Sequence, residues 1–190
     1  MSPHTIKALA KLDQLIQACA RCSLHEGGRA KPYWTLESKY LIIGEAPGRD
    51  EVKANSPFVG PAGSALWNQL APHGLSRKDF AIVNSVNCRP IVLRKNGKPT
   101  DEQIRACFHW VGKYILLIQP KKILLLGSYA HKSLFGKDIQ VIKNNGKVYV
   151  DKYGTPVIQS VHPAYTIYNE EQGIRLLTEA IEAFLRKESL

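Results

Sequence analysis

The chain has 190 residues, the size of one ordinary domain, and its 44% apolar and 22% charged content is that of a globular protein, which excludes a disordered chain, a collagen-like repeat and a coiled coil. Lysine and arginine number 26 against 16 acidic residues, and the resulting net charge of +10 favours a polyanionic partner without identifying one. The longest apolar runs, at 41–43, 115–118 and 123–126, fall far short of the ~20 residues of a membrane helix, and Met1-Ser2-Pro3-His4 opens no apolar signal core, so neither a membrane partner nor secretion is expected.

Residues 5–18 place Ile6, Leu9, Leu12, Leu15 and Ile16 at helical spacing. The apolar run 40–43 predicts a buried strand, and Gly44-Glu45-Ala46-Pro47-Gly48 turns the chain. Residues 62–71 predict a helix with Leu66, Trp67 and Leu70 on one side, closed by His73-Gly74. A second strand covers 80–86, and Asn96-Gly97-Lys98-Pro99 is a loop. Thr100 and Gln103 form a capping box that starts a helix reaching Ile118. Residues 122–126 predict a third strand, and Gly127 opens a helix that ends near Gly136. Asn144-Asn145-Gly146 turns into a short strand at 147–150, followed by a strand at 156–161 and a closing amphipathic helix at 172–187. There is no internal repeat or long linker, so residues 1–190 form one domain.

Apolar strands alternating with helices predict an α/β fold whose mainly parallel sheet is covered on both faces. In such sheets the ligand site lies beyond the carboxyl ends of the strands. The residues there are Glu45, then Asn87-Cys88-Arg89, then Gly127-Ser128, then His162, with Asn84 near the end of the second strand. Any one of them has a plain explanation, a solvated turn or a capped strand end. Their convergence on one edge is the informative observation.

The four cysteines are Cys19 and Cys22, in a C-x-x-C pair, and the distant Cys88 and Cys107. A reducing cytosol disfavours disulfides, and the pair lacks the strand–turn context of a thioredoxin-like motif. Four thiolates can hold zinc or an iron–sulfur cluster, and spacing does not choose between them. The plain alternative leaves Cys88 and Cys107 as small buried apolar side chains.

Several stretches stand in a fixed order: Cys19-x-x-Cys22, Gly44-Glu45-Ala46-Pro47-Gly48 with Glu51, Pro57-Phe58-Val59-Gly60-x-Ala62-Gly63, Asn84-x-x-x-Cys88-Arg89-Pro90, Pro99-Thr100 leading to Cys107, Gln119-Pro120-Lys121, and His162-Pro163-Ala164-Tyr165. In order and spacing they resemble a family 4 uracil-DNA glycosylase, the iron–sulfur branch of the uracil-DNA glycosylase superfamily. The resemblance runs from about Cys19 to His162. It implies a three-layer sandwich around a small, mainly parallel four-stranded sheet. It also implies a [4Fe-4S] cluster on Cys19, Cys22, Cys88 and Cys107, which ties residues 19–22 to 88–107.

The implied activity is excision of uracil from single- or double-stranded DNA; a monomer is the default expectation, in the cytoplasm of a bacterial, archaeal or virus-infected cell. The nucleotide is extruded, the N-glycosidic bond breaks, and donors must stand where the base becomes negative. By resemblance His162 contacts uracil O2, and Asn84 reads O4 and N3–H with an amide that both donates and accepts. Phe58 is the stacking platform, with core filling as its plain alternative. Ala46 sits in the turn near the attacking water, where better-known uracil glycosylases carry a water-activating aspartate. Glu45 counts with His162 and Asn84 as a catalytic group that shapes the turn, and Glu51 matches a residue that crowds the thymine methyl position.

The chain departs from the family after His162. Ala164 replaces a serine that could bond a phosphate, and Thr166 replaces an apolar wedge, a role left to Ile167 or Tyr165. Weaker action on duplex than on single strands is expected from this. Arg89, Arg94, Lys95 and Lys98 after the second strand, with Lys143 and Lys147, are candidate phosphate contacts or solvated basic loops. Alternatives to uracil excision are a glycosylase shifted toward deaminated purines and a catalytically weak DNA-binding module of a replication or repair complex.

Overall fold

The computed structural model describes residues 1–93 and 95–186; Arg94 and Lys187, the last residue of the predicted closing helix, lie outside the described residues. Helix α1 (Pro3–Gln17) begins where Ser2 Oγ accepts the Thr5 N–H at 3.1 Å, with proline in its first turn. The chain continues through β1 (Tyr40–Gly44), α2 (Arg49–Ala54), α3 (Pro61–Leu70), β2 (Phe80–Asn84), the short hairpin β3 (Ile91–Val92) and β4 (Lys95–Asn96), and α4 (Asp101–Ile118). It ends with β5 (Ile123–Leu126), α5 (Ser128–Phe135), β6 (Val148–Val150), β7 (Pro156–Ser160), α6 (Tyr165–Tyr168) and α7 (Glu170–Leu185). The capping box opens α4 as expected: Thr100 Oγ1 accepts from the Gln103 N–H and Gln103 Oε1 from the Thr100 N–H.

The main sheet has the order β2-β1-β5-β7-β6, with the first four strands parallel and β6 antiparallel to β7. Side chains alternate between two cores. Leu41, Ile43, Val83, Ile123 and Leu125 pack with α1, α4 and α5, whereas Ile42, Phe80, Ile82, Leu124 and Ile158 pack with α3 and α7. The result is the three-layer α/β sandwich expected, with one correction to its strand count. A fifth strand, β6, extends the four-stranded parallel sheet. It must run antiparallel because only residues 151–155 separate it from β7, too few for a parallel crossover. Asp151 Oδ1 closes that turn by accepting the Tyr153 and Thr155 N–H groups at 2.8 Å.

Three further details differ from expectation. Strand β2 stops at Asn84, because the Ser85 and Val86 N–H groups turn to the carbonyls of Gly44 and Glu45. The hairpin β3–β4 lies in a stretch for which the sequence predicts no element, only its last residue, Asn96, falling in the predicted loop; its strands have two residues each and bury neither, so no alternation marks them. Helices α2 and α6, of six and four residues, are too short to show a periodic stripe. Among the described residues no helix is long and apolar enough to cross a membrane.

Candidate active site

Strand register lines up the carboxyl ends on one edge, with Gly44 opposite Asn84 and Leu126 opposite Ser160. The chain leaves β1 toward β2 on one side and leaves β5 toward β7 on the other, so a crevice opens between β1 and β5.

Gly44 is the floor of this crevice. A methyl group built on it would overlap Asn84 Oδ1 and come within 2.8 Å of the Phe58 ring, so only glycine lets the buried amide and the ring meet there. Phe58 itself has φ +51, a left-handed backbone that is costly for a bulky residue. It is held by its carbonyl, which accepts from Trp67 Nε1 at 3.0 Å and Arg77 Nη1 at 3.4 Å. Gly63 makes room for it, since a side chain there would collide with the Phe58 carbonyl.

His162 faces Phe58 with ring centroids 6.0 Å apart and planes inclined by 32°. Its Nδ1 accepts the Ala164 N–H at 3.2 Å. Burial lowers its pKa to about 4, and the Lys98 ammonium pushes the same way. The ring is therefore neutral at pH 7 and carries its proton on Nε2, which points away from the backbone bond as a free donor.

The loop that carries His162 is clamped from two sides. Asn145 Oδ1 accepts the Val161 N–H at 3.0 Å while its Nδ2 donates to the Leu176 carbonyl at 2.7 Å. Gln159 Nε2 donates to the carbonyls of Ser160 at 2.8 Å and Gly127 at 3.2 Å, and Gln159 Oε1 bonds His131 Nδ1 at 3.0 Å. Gln159 and His131 are buried, and a methyl on Gly127 would sit 3.2 Å from His162 Cβ. Sequence reading missed this pair. The available signal was one amide inside the apolar strand Val157-Ile158-Gln159.

Glu45 and Ala46 are half-buried in the turn after β1. Burial raises the Glu45 carboxyl, opposed by Lys98, whose ammonium also lies 5.6 Å from the centroid of the Tyr129 ring. Glu51 is engaged differently from expectation. Its carboxylate accepts the N–H groups of Gly48 (3.2 Å), Val59 (3.0 Å) and Gly60 (2.7 Å), which ties the β1 turn to the loop bearing Phe58. Of the residues singled out, the fold thus gathers Asn84, Phe58 and His162 around Gly44, with Glu45 and Lys98 at the rim and Glu51 fastened to backbone.

Beyond His162, Thr166 is buried and its Oγ1 donates to the Pro163 carbonyl, while the Tyr165 hydroxyl donates to Gln172 Oε1 at 2.7 Å. Ile167 and Tyr168 project instead, 53% and 81% exposed. Ile167 borders a groove of about 840 Å³ that Val59, Pro61 and Ser64 also line.

None of the four cysteines is in a disulfide; Cys88 and Cys107 are buried in the α1–α4 core, and Cys19 and Cys22 pack against it. Burial raises the Cys88 thiol and pushes Cys107 up to about 12; Cys19 and Cys22 add to both rises, and Cys88 adds to that of Cys107. The Cys19–Cys22 loop is sewn to Cys88: Arg29 pairs with Cys88 across a β-bridge, and its Nη2 donates to the Cys19 carbonyl at 2.9 Å. Among the described residues no three ligating side chains converge on a single-ion site. Four sulfur donors gathered at the α1, β2 and α4 ends of one core are the donor set of a metal–thiolate group.

The profile of the uracil DNA glycosylase superfamily matches residues 32–185. The type-4 uracil-DNA glycosylase of Thermotoga maritima is 32% identical over 185 residues, covering 93% of this chain and 94% of that protein. The type-4 enzyme of Archaeoglobus fulgidus is 33% identical over 87% of this chain and 86% of its own length. That of Sulfurisphaera tokodaii is 33% identical over 85% and 77%. Similarity of this extent makes the protein a member of the uracil DNA glycosylase superfamily, in its type-4 branch.

Proposed function

We propose that this protein is a cytoplasmic DNA-repair hydrolase that extrudes uracil from DNA, cleaves its N-glycosidic bond and leaves an abasic site. The observation that carries the reading is the meeting of a buried amide, an aromatic ring and a neutral imidazole around Gly44. The activity named for its relatives supports it.

A flipped uracil lies along the Phe58 ring, which supplies stacking of ~1–3 kcal/mol. Asn84 donates to O4 and accepts from N3–H; cytosine reverses that pattern and leaves buried groups unpaired, a mismatch that discriminates strongly. As C1′–N1 breaks, its electron pair moves into the ring and the charge collects on O2. His162 Nε2–H donates to that oxygen, and because the imidazole starts neutral it stabilises the anion without first binding it as a salt. The sugar is left as a cation that water captures, its proton passing to solvent. Ala46 offers no base, and none is required, because a sugar cation already separated from its base is electrophilic enough to capture water with little activation. Glu45, at the rim beside Lys98, acts on the cation by charge and not as the general base. Glu51 is a positioning residue that keeps the Phe58 loop against the β1 turn.

Cys19, Cys22, Cys88 and Cys107 would hold a [4Fe-4S] cluster. Bound there, it would supply metal–thiolate bonds that crosslink the N-terminal segment to the β2 exit, a structural role with no electron turnover.

The test is base release from an oligonucleotide with a single uracil, single-stranded and paired with adenine. Wild type should release free uracil, and Asn84→Ala should be about 100- to 1,000-fold slower with an unchanged folded spectrum. Absence of release from either substrate would favour a binding module, and faster release of hypoxanthine or xanthine would favour a shifted base preference; either overturns the reading.

A further inference from the structure

The hairpin β3–β4 has no part in the pocket just described, yet it is the most conspicuous apolar projection beside it. Ile91, Val92 and Leu93 are 46%, 58% and 91% exposed in succession. Leu93, at the tip, holds a left-handed backbone (φ +48), an unfavourable conformation that serves no internal packing. The base of the hairpin is fixed. The Gly97 N–H donates to the Pro90 carbonyl at 2.8 Å, Arg89 Nε donates to Asn96 Oδ1 at 2.7 Å, and Asn96 lies against Gly48 of the β1 turn. A rigid stem therefore carries an apolar tip at the rim of the pocket.

Its surroundings select the partner. Residues 88–100 contain Arg89, Arg94, Lys95 and Lys98 and no acidic residue. Lys98, just past the stem, acts on both Glu45 and His162, so the basic segment is continuous with the pocket. The hairpin follows β2, the outermost strand on one side, while Ile167 and Tyr168 follow β7 on the other side of the crevice between β1 and β5. Two apolar projections thus flank the place where a nucleotide would be flipped.

We propose that the β3–β4 hairpin is a second DNA-contacting element, whose Leu93 tip packs against the bases beside the extruded nucleotide while its cations hold the phosphates. Apolar wedges of this kind stabilise an unstacked duplex step, and a single strand has little use for one. The inference rests on the proposed uracil excision. It also answers the burial of Thr166, which withdraws that side chain from any wedge role.

The experiment compares Leu93→Ser and Leu93→Met with wild type on the same uracil in single-stranded and adenine-paired DNA. Rates of uracil release and affinities by fluorescence anisotropy are both measured. Leu93→Ser should lose about tenfold in rate and affinity on the duplex and stay within about twofold on the single strand, and Leu93→Met should restore the duplex values. Its salt dependence should match wild type, because no charge is removed. Equal losses on both substrates, or none on the duplex, overturn the proposal. A duplex-specific loss of affinity in a protein that releases no uracil sinks the functional reading and leaves the hairpin's role standing.

Discussion

His162 shows how a single side chain is prepared by its surroundings. Burial holds the imidazole at about 4, and the Ala164 N–H occupies Nδ1, so charge state and tautomer are both set before substrate arrives. Excision should therefore show no step at the ordinary histidine value of ~6.5. Single-turnover rates from about pH 5 to about pH 8 check this, and an inflection near ~6.5 that disappears in His162→Gln would contradict it. Stability carries the same signature. The unfolded chain gains a proton at ~6.5 and the folded one only near 4, so the protein loses stability as pH falls through that window. His131, lowered by its own burial, contributes in the same direction. Urea denaturation at about pH 7 and about pH 4.5 should show the loss, and His162→Gln should narrow it.

One level up, elements matter through the polar atoms they exchange. Strand β7 lends Gln159 to the carbonyls of Ser160 and Gly127, and α5 lends His131 to Gln159. This pair touches no substrate; it positions the loop that aims His162. Gln159→Leu leaves the buried His131 Nδ1 without its partner, at ~1–3 kcal/mol, and takes one of two hydrogen bonds from each of the Gly127 and Ser160 carbonyls, so some stability is lost. A purely structural role would slow every substrate equally. A positioning role would not, because a better leaving group needs less from His162. The expected result is a rate deficit of about tenfold on uracil that shrinks on 5-fluorouracil in the same sequence context. Equal deficits on the two bases would assign Gln159 to packing alone.

Over the whole molecule, the sandwich gathers its four cysteines at one end. Helix α1 meets α4 through Leu9, Leu12 and Ile16 and the Tyr114–Asp13 hydrogen bond, and the Cys19–Cys22 loop meets the β2 exit through the Arg29 contacts beside Cys88. Cys88→Ser should yield a colourless protein that has lost the broad visible absorption of an iron–sulfur centre and melts several degrees lower. Metal analysis and thermal melting check it. Stoichiometric zinc in the wild-type protein would rule the cluster out.

The elements with strong local signals were legible before any coordinates: the apolar runs of β1, β5 and β7, the capping box of α4 and the amphipathic stripes of α1 and α7. So was the placing of Asn84, Glu45 and His162 at strand ends, because a parallel sheet sends the residues after each strand to one edge. Forces of this kind act over a few residues and leave a pattern within them. Pairings between distant segments leave none. Glu51 read as a group facing substrate, and only the approach of Val59 and Gly60 shows its carboxylate claimed by backbone. Gln159 meets His131 across 28 residues, Phe58 keeps its strained backbone because Gly63 admits it, and the hairpin tip is recognisable only by its exposure. Which polar atoms face one another, and which apolar ones are left uncovered, depends on how the crossovers stack the layers, and that is a property of the assembled chain.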